Sequence, residues 1–73
     1  MNMKTFVYTI RTAQVSSTEI IVGRAFIGSS ESNPVWRLTR IDDDGFGAVS
    51  IKYANGSTAF NCTWVDRESY TYL

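Results

Sequence analysis

Hydrophobic and polar residues alternate along most of the chain with a period of two, which is typical of strands that bury one face. In the first predicted strand, Phe6 and Tyr8 fall on one side. A second strand is predicted over residues 19–27, where Gly23 marks the position for a β-bulge. A loop rich in glycine, serine and proline over residues 28–34 then divides the chain into two halves.

The second half predicts a meander of three strands between residues 35 and 64. The dipeptide Asn55-Gly56 is expected to join the last two, because it readily adopts the positive φ angles of a type I′ hairpin turn. Tyr70 and Tyr72 alternate near the end and add a short closing strand. The inward positions of the meander predict a core of seven residues: Trp36, Leu38, Val49, Ile51, Phe60, Cys62 and Trp64.

Together these patterns predict one all-β domain over residues 1–73, a small antiparallel barrel or sandwich of about five to six short strands. A chain of 73 residues buries a thin core and usually needs additional stabilisation. One cysteine and no histidine leave little basis for a disulfide or a zinc site, so oligomerisation is the favoured support.

The net charge of the chain disfavours two classes of binding partner. Seven basic residues balance seven acidic ones, and this zero net charge disfavours binding to nucleic acid or to an anionic membrane. The longest apolar run, residues 20–22, is far too short to cross a bilayer, and the first residues lack the pattern of a secretory signal. We therefore expect no membrane partner.

No residue pattern predicts catalysis, a metal or a cofactor. The run from Asp42 to Gly45 lacks the ligand spacing of an EF-hand, and aspartate with glycine is the ordinary composition of a turn. Cys62 has no histidine to make its thiolate, so a buried, inert role is favoured. The chain is therefore expected not to be an enzyme.

Aromatic residues exceed what so small a core must hold, and aromatics with arginine are enriched at interface centres. Arg37, Arg40 and Lys52 are accordingly the candidate interface residues. The two arginines have the chemistry to stack on rings or to bind a carboxylate of a neighbouring subunit, but solvated surface arginine is an equally good interpretation.

Several segments resemble a recurring pattern in small proteins of tailed bacteriophages. The likeness covers residues 20–72, and these relatives commonly carry Ala-Asp-Gly where this chain has Asn55, a change that keeps a turn-former. The matching segments are residues 23–25, 28–30, 35–41 and 53–56, Phe60, and residues 64–72. The resemblance implies a phage origin and a place in the particle more than it implies a mechanism.

The leading hypothesis is a virion structural protein, such as a head-decoration or cement protein, an adaptor or a tail-associated subunit. It would form a homo-oligomer, bind other virion proteins, and reside in the virion after assembly in the host cytoplasm. One alternative is a binding module that inhibits a host enzyme or defence system. Another is an OB- or SH3-like nucleic-acid binder that stacks bases on Trp36, Tyr53 and Trp64.

Overall fold

The computed structural model describes residues 7–73. It contains four strands: β1 (Tyr8–Gln14), β2 (Glu19–Phe26), β3 (Arg37–Asp43) and β4 (Val49–Tyr53). All neighbours are antiparallel and follow chain order, so the strands form one open sheet, and the described residues contain no helix. The chain is therefore all-β, and Phe6, predicted to lie in the first strand, falls outside the described residues.

Short polar turns connect the strands in the way the aspartates and glycines predict. Between β3 and β4, the Asp43 carboxylate accepts a hydrogen bond from the Gly45 backbone at 2.8 Å. The Asp44 carboxylate accepts two more, from the backbone N–H groups of Phe46 and Ala48 at 2.7 and 3.1 Å. These aspartates bind the backbone of their own turn, which explains the acidic run without a ligand.

One face of the sheet, termed the covered face, is packed against residues 57–73. Its central positions are Ile21, Gly23 and Ala25 of β2 and Leu38 of β3, which alternation and strand register place on the same side. The buried core is formed there by Ile21, Ala25, Trp36, Leu38, Ala54, Cys62 and Trp64. A single layer of strands thus gains its core from an irregular C-terminal segment.

Gly23 allows this segment to approach the sheet closely. A β-carbon at this position would lie 2.5 Å from Cε3 and 2.7 Å from Cζ3 of Trp64, well inside contact distance. The predicted bulge is absent, since the pairing of β2 with both neighbours runs through Gly23 without interruption. The glycine is required by the indole ring that packs on the backbone, not by a break in the strand.

The Asn55-Gly56 turn is present, with φ of 56° and 67° at its two residues. The returning strand predicted after it is wrong. Cys62 forms an isolated bridge with Trp36, and Tyr72 forms one with Ala54. Because the segment after the turn contributes only isolated bridges, the predicted barrel or sandwich of five to six strands is not confirmed.

Three predicted core residues are exposed. Val49 and Ile51 retain 56% and 59% of their accessible surface, and Phe60 retains 36%. The register pairs Ile51 with Ile41 and Val49 with Asp43, on the side of the sheet opposite Leu38. Alternation identifies two faces of β4 but does not reveal which one is covered, and the core assignment of these residues is wrong.

Candidate binding surface

The side of the sheet opposite the covered face is termed the open face. Phe60 of the C-terminal segment stacks on its outer end, beside Tyr8 and Phe26, but the face stays largely apolar and exposed: Ile10, Phe26 and Ile51 retain 53%, 55% and 59% of their surface. Register and alternation assign these positions to it: Tyr8, Ile10, Thr12, Gln14, Ile20, Val22, Arg24, Phe26, Arg37, Thr39, Ile41, Asp43, Val49, Ile51 and Tyr53. A contiguous apolar surface of this kind on a small protein is typical of an interaction site.

The centre of the open face is concave. A hollow of about 260 Å³ lies across β2, β3 and β4. Its floor is aliphatic, and two guanidinium groups and a phenol stand at one end; the lining residues are Val22, Arg24, Arg37, Thr39, Ile41, Ile51 and Tyr53. The hollow therefore combines apolar area with a few polar groups concentrated at one edge, as ligand-binding clefts do.

The polar edge is a row of four side chains that crosses all four strands. Arg24 and Arg37 are direct cross-strand partners at its centre. The Arg24 guanidinium lies 5.6 Å from the ring centroid of Tyr8, and that of Arg37 lies 5.1 Å from the ring centroid of Tyr53. Arg37 also donates a hydrogen bond to the Tyr53 hydroxyl at 3.3 Å. Each arginine is thus held over an aromatic ring on an outer strand.

A second aromatic group adjoins this row. The ring centroid of Tyr8 lies 5.2 Å from that of Phe26 and 6.2 Å from that of Phe60, with near-parallel planes in both pairs. Phe60 comes from the C-terminal segment, so this aromatic cluster joins that segment to the outer end of the sheet. This stacking gives Phe60 packing partners outside the core.

The charges of the two faces differ in how they are paired. On the covered side, Arg11 lies 3.1 Å from Glu31, and Arg40 forms ion pairs with Glu19 and Asp42. All seven acidic side chains of the protein lie within the described residues, and none forms a salt bridge with Arg24 or Arg37. The open face therefore carries two cations without a carboxylate partner.

The three interface residues expected from the sequence do not form one surface. Arg37 lies on the open face, but Arg40 and Lys52 pair with each other on the covered side. Arg40 is already engaged by carboxylates, so it does not share one surface with Arg37, and the part of these residues in an interface stays a prediction. Arg24 was missed, because its position opposite Arg37 depends on the register of β2 with β3 and no local pattern encodes that register.

Cys62 and the two tryptophans are buried in the core of the domain. Cys62 is buried, and burial raises the pKa of its thiol above the ordinary value of 9.0, which disfavours the reactive thiolate. Trp36 and Trp64 retain 0% and 5% of their surface, and their ring centroids are 5.9 Å apart. Neither indole is accessible to a nucleic-acid base, so the stacking surface expected of a nucleic-acid binder is not present at these two residues.

Within residues 7–73, no group of three or more histidine, cysteine or acidic side chains is arranged to hold a metal ion. The same residues contain no helix of the length and hydrophobicity needed to span a bilayer. No protein family, curated protein or solved structure matches the chain.

Proposed function

We propose that this protein is a structural subunit of a tailed-bacteriophage virion, present in many copies, that acts by binding other virion proteins and catalyses no reaction. It assembles in the host cytoplasm and resides in the particle. The open apolar face is the observation that carries the proposal. The phage setting comes from the sequence resemblance of residues 20–72 alone.

The energetics of the sheet favour a bound state. Complete burial of a large aliphatic or aromatic side chain contributes roughly 1.5–3 kcal/mol. Ile10, Phe26, Val49 and Ile51 each leave more than half of their surface in water, so docking recovers about 1 kcal/mol or more from each. This gain is comparable with the total stability of about 3–5 kcal/mol expected for a domain of this size.

Docking would also give the open face a covering layer. Two packed layers are the usual minimum for a β domain, and here the second layer exists only over the covered face. A partner seated on the open face makes the sheet the central layer of a larger β-rich assembly.

Mass spectrometry of purified virions tests the proposal. The protein should be present at fixed stoichiometry, and Ile51→Lys, on the open face, should reduce its incorporation at least about tenfold. Val65→Lys is the matched control, because Val65 is similarly exposed at 54% but lies in the C-terminal segment, and it should incorporate normally.

Absence of the wild-type protein from particles would refute a structural role and favour the inhibitor of a host enzyme or defence system. Equal incorporation of the Ile51 and Val65 variants would instead show that the open face is not the contact surface. The nucleic-acid hypothesis is disfavoured by the burial of Trp36 and Trp64, which removes two of its three expected stacking residues.

A further inference from the structure

Arg24 and Arg37 form a directly opposed pair of like charges on neighbouring strands. Such pairs are destabilising in antiparallel sheets, because the side chains are only about 5 Å apart at their β-carbons. Arg40 shows the usual solution in this same sheet, since it lies between Glu19 and Asp42. The open-face pair has no such neutralisation from any residue in the described part of the chain.

The surroundings of the pair hold the two guanidinium groups in place rather than neutralise them. Tyr8 and Tyr53 support them from the outer strands, at 5.6 and 5.1 Å from the ring centroids. Within residues 7–73, the only side-chain hydrogen bond from either group is the one from Arg37 to Tyr53. Most of the ten N–H donors that two guanidinium groups provide therefore remain free for a ligand.

The hollow next to the pair sets the chemistry of the rest of the ligand. Val22, Ile41 and Ile51 supply its aliphatic floor. If the anionic group of a ligand lies between the two arginines, the carbon chain attached to it lies over these three aliphatic residues. The site thus matches a single acid group carried on an apolar body, and guanidinium groups bind planar carboxylates with paired hydrogen bonds.

We propose that Arg24 and Arg37 form a clamp for a carboxylate side chain of the partner protein, with the flanking apolar residues of that partner seated on Val22, Ile41 and Ile51. This inference deepens the proposed function and depends on it for the identification of the ligand as a protein. It makes the partner of the open face an acidic, apolar surface of a different chain.

A second copy of this chain does not supply that surface. In a two-fold dimer residue i of one copy meets residue j of the other, so a second copy can bring at most one open-face carboxylate, that of Asp43, to the two arginines, and that carboxylate already accepts a hydrogen bond from the Gly45 backbone. Asp43 is the only acidic residue of the open face, and it lies at the opposite end of β3 from Arg37. Charge complementarity therefore favours a different partner.

Single-stranded nucleic acid does not fit the surface either. Such ligands require a positive groove that follows several phosphates. The remaining described cations are Arg11 and Arg40, which are ion-paired on the covered side, Lys52 on the same side, and Arg67, which lies over the Trp64 ring at 4.7 Å. A site for one anion beside an aliphatic floor is suited to a protein side chain.

Nuclear magnetic resonance with a small carboxylate tests the clamp. The probe is 4-phenylbutyrate, which joins one carboxylate to an apolar body, and 4-phenylbutyramide is its neutral counterpart. The carboxylate should shift the Arg24 and Arg37 side-chain Nε–H signals and the Ile41 and Ile51 methyl signals, with a millimolar dissociation constant. The amide should bind at least about fivefold more weakly than the carboxylate.

Arg24→Gln and Arg37→Gln should each weaken binding of the carboxylate about fivefold while they leave the thermal melt nearly unchanged. Arg11→Gln is the matched control, because Arg11 is equally a strand arginine but pairs with Glu31 on the covered side. Its affinity for the probe should equal that of the wild type. Equal binding of carboxylate and amide, or equal affinity in all three variants, would overturn the clamp.

Two further measurements address the other occupants of the face. Tighter binding of a single-stranded oligothymidylate than of the carboxylate, with shifts at the same residues, would overturn the proposal in favour of nucleic acid. A dimer in sedimentation that Ile51→Lys dissociates would overturn it in favour of a second copy. A monomer, or an oligomer that this substitution leaves intact, supports it.

The experiments distinguish failure of the arginine clamp from failure of the proposed virion role. If the protein is absent from particles but the probe results hold, the carboxylate site stands and the structural function is wrong. If Ile51→Lys blocks incorporation but Arg24→Gln with Arg37→Gln incorporates normally, the open face is the contact and the clamp is wrong. Loss of incorporation in the arginine double variant, with Arg11→Gln unaffected, supports both.

Discussion

Gly23→Ala should destabilise the fold by about 1–2 kcal/mol, the opposite of the usual effect of replacing glycine in a strand. Alanine in place of a strand glycine ordinarily gains about 0.5–1 kcal/mol, because the unfolded chain loses freedom. Gly23 is not among the glycines with positive φ, so its backbone accepts alanine without strain. The expected loss comes entirely from the packing of Trp64 on the glycine.

Its magnitude follows from the distances. The new methyl carbon would lie 2.5 Å from Cε3 of Trp64 and 3.1 Å from Cε3 of Trp36, whereas carbon atoms pack at about 3.5–4.0 Å. The Trp64 ring must therefore move by about 1 Å. That movement is resisted because Arg67 lies 4.7 Å from the centre of the ring and the Trp64 backbone donates a 2.9 Å hydrogen bond to Glu31. Overpacking of this degree costs typically about 1–3 kcal/mol.

Chemical denaturation and thermal melting followed by near-ultraviolet circular dichroism measure the effect. A loss of about 1–2 kcal/mol lowers the melting temperature of a domain this size by roughly 5–15 °C. Trp64→Leu removes the ring atoms that the methyl would meet. In a double-mutant cycle, Gly23→Ala should therefore cost less in the Trp64→Leu background than in the wild type. If Gly23→Ala is neutral or stabilising in the wild type, the indole does not pack on Gly23 and the account of the covered face is wrong.

Three further predictions follow from the same packing. Gly56→Val should lower the free energy of unfolding by about 1 kcal/mol more than Gly45→Val in parallel melts. Both glycines have positive φ, but only the turn that contains Gly56 adjoins the buried end of the sheet and the C-terminal segment. Equal losses in the two variants would contradict this. Burial raises the pKa of the Tyr72 hydroxyl from 10.0 to about 12. The neutral phenol therefore contributes its full share of the folding stability below pH 10, and about 1 kcal/mol of it, after allowance for solvent screening, is lost as the pH rises toward 12. Tyr72→Phe should flatten this part of the pH–stability curve. Ile51→Ser should change the free energy of unfolding by less than about 0.5 kcal/mol, because Ile51 is exposed, whereas Leu38→Ser should prevent folding, because Leu38 is buried. Similar melting curves for the two variants would show that Ile51 belongs to the core.

The features of the fold that sequence predicts are those encoded locally. The first two strands and the alternation around Trp36 follow from period-two patterns, and β1 and β2 pair as neighbours in the chain usually do. The Asn55-Gly56 turn follows from the positive φ that both residues tolerate. In each case the determining interactions lie within one turn or between strands that are neighbours in the chain.

What sequence does not predict is where the chain goes after the turn. Residues 57–73 leave the sheet, and Trp64 reaches Gly23 on β2 instead of a neighbour on β4. That choice decides which side of β4 is covered, and it exposes Ile51 although Ile51 alternates as a core residue does. Gly23 carried a usable signal, because a glycine in a strand marks either a bulge or a close approach, but its partner ring is encoded far away in the chain.

The two faces of the sheet differ in what their side chains contribute to folding. On the covered side, the strand arginines have carboxylate partners and the apolar residues are buried, so substitutions there act on stability. On the open face, both arginines are without carboxylates and large apolar residues stay in water, an arrangement that contributes little to the isolated domain. Directly opposed like charges destabilise a sheet, and exposed apolar patches are typical of interaction sites. These two features are the grounds on which the open face is proposed to bind an acidic, apolar partner.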